Sequence, residues 1–218
     1  MAPARILLVD DHDISRQGVS ALIASEPGWE VCGEARTGRE AVRMAADLLP
    51  DVIVMDVLMP DLNGLDAARQ IRKRLPATEI LLLTGHEDDK LIQPAFDAGI
   101  HAYIFKCQAR DHLVPAITSL LAGRPYLTPQ VSAVLFNRLG QGQSGAGPLR
   151  RPDASLTGRE REIIQLLAEG RSNKEVASVL EISTKTVETH RASIMRKLNI
   201  ESLSDLVLYA IRNKIIEA

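Results

Sequence analysis

Three carboxylates and one amine stand where short apolar runs end. Asp10 and Asp11 follow Ile6–Val9, Asp56 follows Val52–Met55, Thr84 closes Ile80–Leu83, and Lys106 follows Tyr103–Phe105. If these runs are parallel strands, the five polar residues share one sheet edge without being neighbours in sequence. Two carboxylates about 5 Å apart repel by roughly 3 kcal/mol at an effective dielectric near 20. A hard divalent cation relieves that repulsion, and Mg²⁺ suits one to three carboxylates plus water. A cation, an ammonium and a hydroxyl around one carboxylate are also what a transferred phosphoryl group needs, because its charge spreads over three equatorial oxygens. In that chemistry Asp56 is the nucleophile and the product is an acyl phosphate. Each residue alone has a plainer reading, as a helix N-cap or a surface side chain. Metal binding without transfer and a nucleotide site also stay open, although neither G-x-G-x-x-G nor G-x-x-x-x-G-K-[ST] occurs.

The elements that must position these residues are legible as alternation. Ile6–Val9, Val52–Met55, Ile80–Leu83 and Tyr103–Phe105 are continuous apolar runs, the pattern of strands buried on both faces, and Trp29–Ala35 is a less regular fifth. Helical periodicity falls near residues 14–25, 38–48, 64–74, 88–98 and 110–122, and Thr37-Gly38-Arg39-Glu40 reads as a capping box. The expectation is a doubly wound α/β domain over 1–124 with a parallel five-stranded sheet. Residues 125–154 read as a connecting helix near 128–139 followed by a flexible linker from Gly140 to Pro148, extending toward Ala154.

From residue 155 the pattern turns all-helical. Thr157-Gly158-Arg159-Glu160 and Ser172-Asn173-Lys174-Glu175 are capping boxes, Ser183 is a candidate N-cap for Thr184–Leu198, and a last helix runs from about Ser202 to Asn213. A short helix, a brief turn and a longer helix make a helix-turn-helix. Within Ser183–Leu198, Lys185, Arg191, Arg196 and Lys197 oppose only Glu188, a local net of +3. Val187, Ile194 and Leu198 fit a buried stripe, and Lys185, Glu188, Thr189, Ala192 and Arg196 fit the opposite side. Small and polar groups there suit base edges, with Thr and Ala against a thymine methyl and Glu accepting from cytosine N4. A merely solvated basic face is the plainer alternative.

Composition narrows the classes. The 218 residues carry 26 Lys+Arg against 28 Asp+Glu, with 13 basic and 18 acidic side chains in 1–124 and 11 and 10 in 151–218. That C-terminal balance is too even to indicate nucleic acid by itself. Hydrophobic content of 45% excludes global disorder. No apolar run approaches the roughly 20 residues that span a bilayer, and Met1–Arg5 passes directly into a strand, unlike a signal peptide. Cys32 and Cys107 supply neither a disulfide framework nor a zinc set. The expectation is a soluble, cytoplasmic protein without a membrane partner.

The residues also carry a resemblance. Leu7-Leu8-Val9-Asp10-Asp11-His12, Met55 through Gly64, Leu83-Thr84-Gly85 and Ala102 through Lys106 resemble a response-regulator receiver domain over about 1–122. The resemblance implies that Asp56 accepts phosphoryl from a cognate histidine kinase, with Mg²⁺ held by Asp11, Asp56 and the Leu58 carbonyl and contacted by Asp10 mainly through water. Thr84 and Tyr103 would be the switch pair, the hydroxyl moving toward the phosphoryl group and the ring following inward. Gly85 would leave access beside the site. Cys107 departs from the acidic residue or Pro frequent after the family's Lys, which bears on the following loop. Its plain reading is a neutral thiol.

Leu156 through Glu162, Gly170 through Ala177 and Ser183 through His190 are similar to the four-helix NarL/LuxR-type DNA-binding domain, over about 153–215. By that similarity Ser172–Leu180 is the scaffold helix and Ser183–Leu198 the recognition helix on double-stranded DNA. Base edges would be met by Glu188, Thr189 and Ala192, and phosphates by Lys174, Lys185, Thr186, His190 and Arg191. The combined expectation is a two-component response regulator, not an enzyme with turnover, that becomes a homodimer when phosphorylated and controls transcription. The rivals are a DNA-binding regulator independent of phosphorylation and a phosphoryl sink or protein-interaction adaptor. A magnesium-dependent hydrolase is more distant, because no water-activating base stands beside the carboxylates.

Overall fold

In the computed structural model, residues 2–85, 89–141 and 156–217 are described. They form two compact units, one N-terminal and one C-terminal. The linker expected between Gly142 and Ala154 lies outside the described residues.

The first unit is a parallel sheet wrapped by helices. Its strands are β1 (Ala4–Val9), β2 (Trp29–Ala35), β3 (Val52–Asp56), β4 (Glu79–Thr84), β5 (Ala102–Phe105) and β6 (Tyr126–Leu127), in the order β2-β1-β3-β4-β5-β6. The helices are α1 (Asp13–Ala24), α2 (Gly38–Leu48), α3 (Gly64–Arg74), α4 (Ile92–Asp97), α5 (Ala109–Leu121) and α6 (Pro129–Gln141). Alternation along the strands splits the core. Leu8, Val54, Leu83 and Ile104 pack with Ile23 of α1 and Leu113, Ile117 and Leu120 of α5. Leu7, Met55, Leu82 and Tyr103 point the other way and are equally buried. Each such side chain contributes roughly 1.5–3 kcal/mol of apolar burial, which explains why four of the strands are continuous apolar runs.

The sheet has six strands, not five. Tyr126 and Leu127 pair with Ala102 and Tyr103 of β5; two residues are too few to show a period of two. Gly140 and Gln141, expected to open the linker, are the last residues of α6. The stretch expected as one helix over 88–98 is a 3-10 turn, Asp89–Leu91, leading into the short α4. The Thr37 box is half formed. Thr37 Oγ1 accepts from the Glu40 N–H, but the Glu40 carboxylate takes the N–H of Arg36.

The second unit is α7 (Gly158–Ala168), α8 (Asn173–Val179), α9 (Thr184–Leu198) and α10 (Leu203–Arg212) around Ile163, Ile164, Leu167, Val176, Val187, Ile194, Leu206 and Ala210. Capping boxes close at Thr157 and Ser172, and Ser183 accepts from the Thr186 N–H. Ser202 forms a further box with Asp205, which an S/T-x-x-E/Q search passes over. The turn between α8 and α9 closes through Glu181 at φ 54°, a left-handed conformation that costs a non-glycine residue roughly 1–2 kcal/mol. Among the described residues no helix is long and apolar enough to cross a membrane.

Candidate functional site

Register brings the acidic residues together. Val9 stands opposite Met55, Asp56 opposite Leu83, and Thr84 opposite Phe105. The chain leaves all four strands at the same edge, with Asp10, Asp56, Thr84 and Lys106 there. Ligand atoms of Asp10, Asp11, His12 and Asp56 lie within 4.8 Å of one another. Lys106 Nζ sits between two of the carboxylates, 2.6 Å from Asp56 Oδ2 and 2.7 Å from Asp10 Oδ2. The Val57 N–H donates to Asp56 Oδ1 at 2.6 Å.

Asp56 is 5% exposed, and burial pushes its carboxyl up to about 6. The Lys106 ammonium opposes that rise, and the Asp10 charge adds to it. Burial pulls Lys106 down, yet Asp56 and Asp10 more than offset this and its amine titrates above its ordinary value. Three carboxylates face one ammonium, so the edge keeps an excess of negative charge. Asp11 adds a buried oxygen, Oδ1, that makes no hydrogen bond, although His12 Nδ1 lies 2.9 Å away. A surplus of carboxylate with an oxygen that accepts no hydrogen bond fits a hard divalent cation.

Asp10 is tethered at both ends. Its Oδ1 accepts the His12 N–H at 2.9 Å, and its Oδ2 accepts Ser15 Oγ at 2.6 Å. Its carbonyl accepts Arg16 Nη1 at 2.8 Å. Arg16 is buried, with Nε on Glu34 at 2.9 Å and Nη2 on Asp13. Sequence reasoning missed Ser15 and Arg16. The signal was present for Arg16, which with Val19 and Ile23 forms the buried stripe of α1. A charged residue in an apolar stripe requires buried partners.

The remaining expected residues fall around this edge. Leu58 is buried two residues past Asp56. Thr84 is 1% exposed, and Tyr103 is fully inside, its ring edge-on to Phe105 at 5.8 Å. Among the described residues, a Cβ on Gly85 would meet only Lys106 Cδ, at 3.9 Å. Gly64 is the opposite case. A Cβ there would stand 1.9 Å from the Asp56 carbonyl oxygen. Gly64 also donates its N–H to Val57 O at 2.8 Å, so the loop after Asp56 folds back against the residue that starts it. Cys107 is exposed and no bridge forms.

In the second unit, Lys174, Lys185, Thr186, Glu188, Thr189 and Ala192 are exposed, and His190 and Arg191 are half-buried. Val187 and Ile194 are fully buried on the opposite side of α9, and Leu198 is partly so. The basic count on α9 is smaller than the sequence suggested. Lys197 Nζ pairs with Glu160 Oε2 at 2.8 Å. Burial opposes ionisation of Glu160, but Lys197 and Thr157 outweigh it and hold the carboxyl below its ordinary value.

Comparison with known proteins places both units. Residues 6–118 match the response regulator receiver domain, and residues 154–210 match the bacterial regulatory proteins of the luxR family. The transcriptional regulatory protein LiaR of Bacillus subtilis is 39% identical over 212 residues, covering 97% of this chain and 99% of LiaR. The response regulator protein VraR of Staphylococcus aureus is 36% identical over 98% of this chain and 99% of its own. A solved structure of the Salmonella typhimurium response regulator RcsB, described for its conformational dynamism for DNA interaction, is 25% identical. It covers 96% of this chain and 97% of RcsB with a TM-score of 0.64. The chain therefore belongs to the two-component transcriptional response regulators, in which a receiver domain is joined to a luxR-type helix-turn-helix domain.

Proposed function

We propose that Asp56 accepts a phosphoryl group from the phosphohistidine of a cognate kinase, and that this controls binding of α9 to double-stranded DNA. The observation that carries the reading is Lys106 Nζ held between Asp56 and Asp10 at the sheet edge, within 2.7 Å of each. As an Asp56 oxygen bonds to phosphorus, the P–N bond of the donor breaks. Its electron pair returns to the imidazole nitrogen, which takes up a proton. Lys106 offsets charge on the acceptor and the phosphoryl oxygens, and the Thr84 hydroxyl donates to them. Asp11, Asp56 and the Leu58 carbonyl would hold Mg²⁺ directly and Asp10 through water. The ion supplies charge neutralisation for the transfer. Gly85, which adds no side chain beside Lys106, would leave access for the donor. Self-catalysed acceptance and slow hydrolysis are the only chemistry, without turnover of a separate substrate.

On the DNA side, Glu188, Thr189 and Ala192 would meet base edges and Lys174, Lys185, Thr186, His190 and Arg191 the phosphates. RcsB, with its described DNA interaction, supports this use of the domain. Phosphorylation would favour a cytoplasmic homodimer, which doubles the phosphate contacts and pairs the half-sites.

The test is selection of genomic fragments by the purified chain at about 150 mM salt, a fixed value because non-specific binding falls steeply with salt. It is run with and without Mg²⁺ plus a small acyl-phosphate donor, on wild type and Asp56→Ala, with intact mass to follow labelling. A paired motif enriched only when Asp56 is labelled supports the reading. Equal enrichment in all arms favours a regulator independent of phosphorylation, and labelling without enrichment favours a phosphoryl sink.

A further inference from the structure

We propose that Ser15 is a positioning residue that sets which divalent cation the acid edge prefers, an inference resting on the reading of that edge as a cation site. A carboxylate offers about four lone-pair positions. On Asp10 three are taken by donors from the protein: the His12 N–H on Oδ1, and Ser15 Oγ and Lys106 Nζ on Oδ2. The main chain of the same residue is pinned by buried Arg16 through its carbonyl. These bonds oppose rotation of the Asp10 carboxylate and movement of its backbone toward an ion. Asp11 is the converse: its buried Oδ1 makes no hydrogen bond, although the His12 ring nitrogen stands 2.9 Å away.

The clamp limits the number of oxygens available to an ion. Mg²⁺ takes one or two carboxylates and keeps several waters, whereas Ca²⁺ takes six to eight oxygens at longer distances. An edge offering Asp11, Asp56 and a single free position on Asp10 Oδ1 suits the smaller ion. Ser15 is the removable part of the clamp, since its hydroxyl alone carries the contact. Arg16 and Lys106 have other partners that their loss would disturb. Without the hydroxyl a second Asp10 position opens, on Oδ2, so that the carboxylate can meet a larger ion through both oxygens.

Calorimetric titration of the full chain with MgCl₂ and with CaCl₂, on wild type, Ser15→Ala and Ser15→Thr, tests this. Wild type is expected to favour Mg²⁺. Ser15→Ala is expected to lower the Mg²⁺-to-Ca²⁺ affinity ratio by about threefold or more, because Ca²⁺ gains a ligand that Mg²⁺ does not need. Ser15→Thr, which keeps the hydroxyl, is expected to return the ratio toward wild type. An unchanged ratio in Ser15→Ala, with both affinities kept or both lowered in parallel, overturns the proposal; parallel loss is what a merely structural Ser15 would give. Failure of wild type to bind either ion overturns the cation-site reading itself, and is distinguishable because no variant is needed to see it.

Discussion

The acid edge of the first unit and the exposed face of α9 use charge in opposite ways. At the edge, Asp10 and Asp56 are almost fully buried and come from different strands. Their geometry is fixed by sheet register, and their charge is costly before any partner arrives. On α9 the charged residues come from a single helix, most of them stand in water, and they cost little to maintain. A buried site of this kind has its interactions prepared in advance and is sensitive to single atoms. An exposed helix face is additive and forgiving. The first arrangement suits bond-making, and the second suits holding a long polyanion.

The contrast can be broken most sharply at Lys106. Lys106→Met leaves Asp56 and Asp10 buried without their ammonium. Labelling of Asp56 by a small acyl-phosphate donor should slow by about 100-fold or more, the scale for losing one preorganised electrostatic partner. Retention of wild-type labelling in a folded variant would remove Lys106 from the chemistry.

Gly64→Ala tests the atom-level sensitivity from the other side. Its methyl would overlap the Asp56 carbonyl, and the loop must move. A loss of about 2–4 kcal/mol in urea unfolding is expected, in the range of overpacking and strain. An Ala at Gly85, whose methyl would make an ordinary contact with Lys106 Cδ, should cost less than about 0.5 kcal/mol in the same measurement.

Asp56 also gives a pH signature. Its carboxyl titrates near 6 in the fold against an ordinary 3.8, so the fold prefers the protonated form. Its cost is absent below about pH 4, grows as pH rises to about 6, and is constant above, reaching about 1–3 kcal/mol. In the absence of divalent cations, Asp56→Asn should therefore be more stable than wild type at pH 7 by about that amount, with the advantage fading toward pH 4. Cation affinity should follow the reverse course and weaken about tenfold from pH 7 to pH 5, as a proton competes for Asp56. An Asp56→Asn stability difference independent of pH would contradict the raised carboxyl.

The smallest effects belong to α9. Lys185→Ala should weaken DNA binding nearly uniformly across sequences and reduce the salt slope by about one. Glu188→Ala should instead relax base preference at one position by about 1–3 kcal/mol. A uniform loss from Glu188→Ala would move it off the base edges.

Much of this was legible in the sequence because the edge rule needs only strand ends. Four apolar runs located Asp10, Asp56, Thr84 and Lys106, and side-chain identity at those ends limited the chemistry. Ser15 and Arg16 were not found, because their roles depend on α1 folding back over the Asp10 main chain, a contact no spacing encodes. Gly64 was visible as a residue but not as a steric necessity, which appears only once the loop returns to the Asp56 carbonyl. The pairing of Lys197 with Glu160 was hidden for a related reason. The two residues lie on different helices, so a charge count along α9 alone overstates what faces outward.

The sixth strand has a practical consequence for dissecting the molecule. Tyr126 and Leu127 cap the open side of β5. A fragment ended at Arg124, where the alternation of strands and helices looks complete, would strip that cover. It would bare a row of unpaired amides and carbonyls on an apolar ribbon, the template on which polypeptides stack edge to edge. Self-association of such a truncated piece in solution would then reflect the cut, whereas a piece continued through α6 keeps β5 paired.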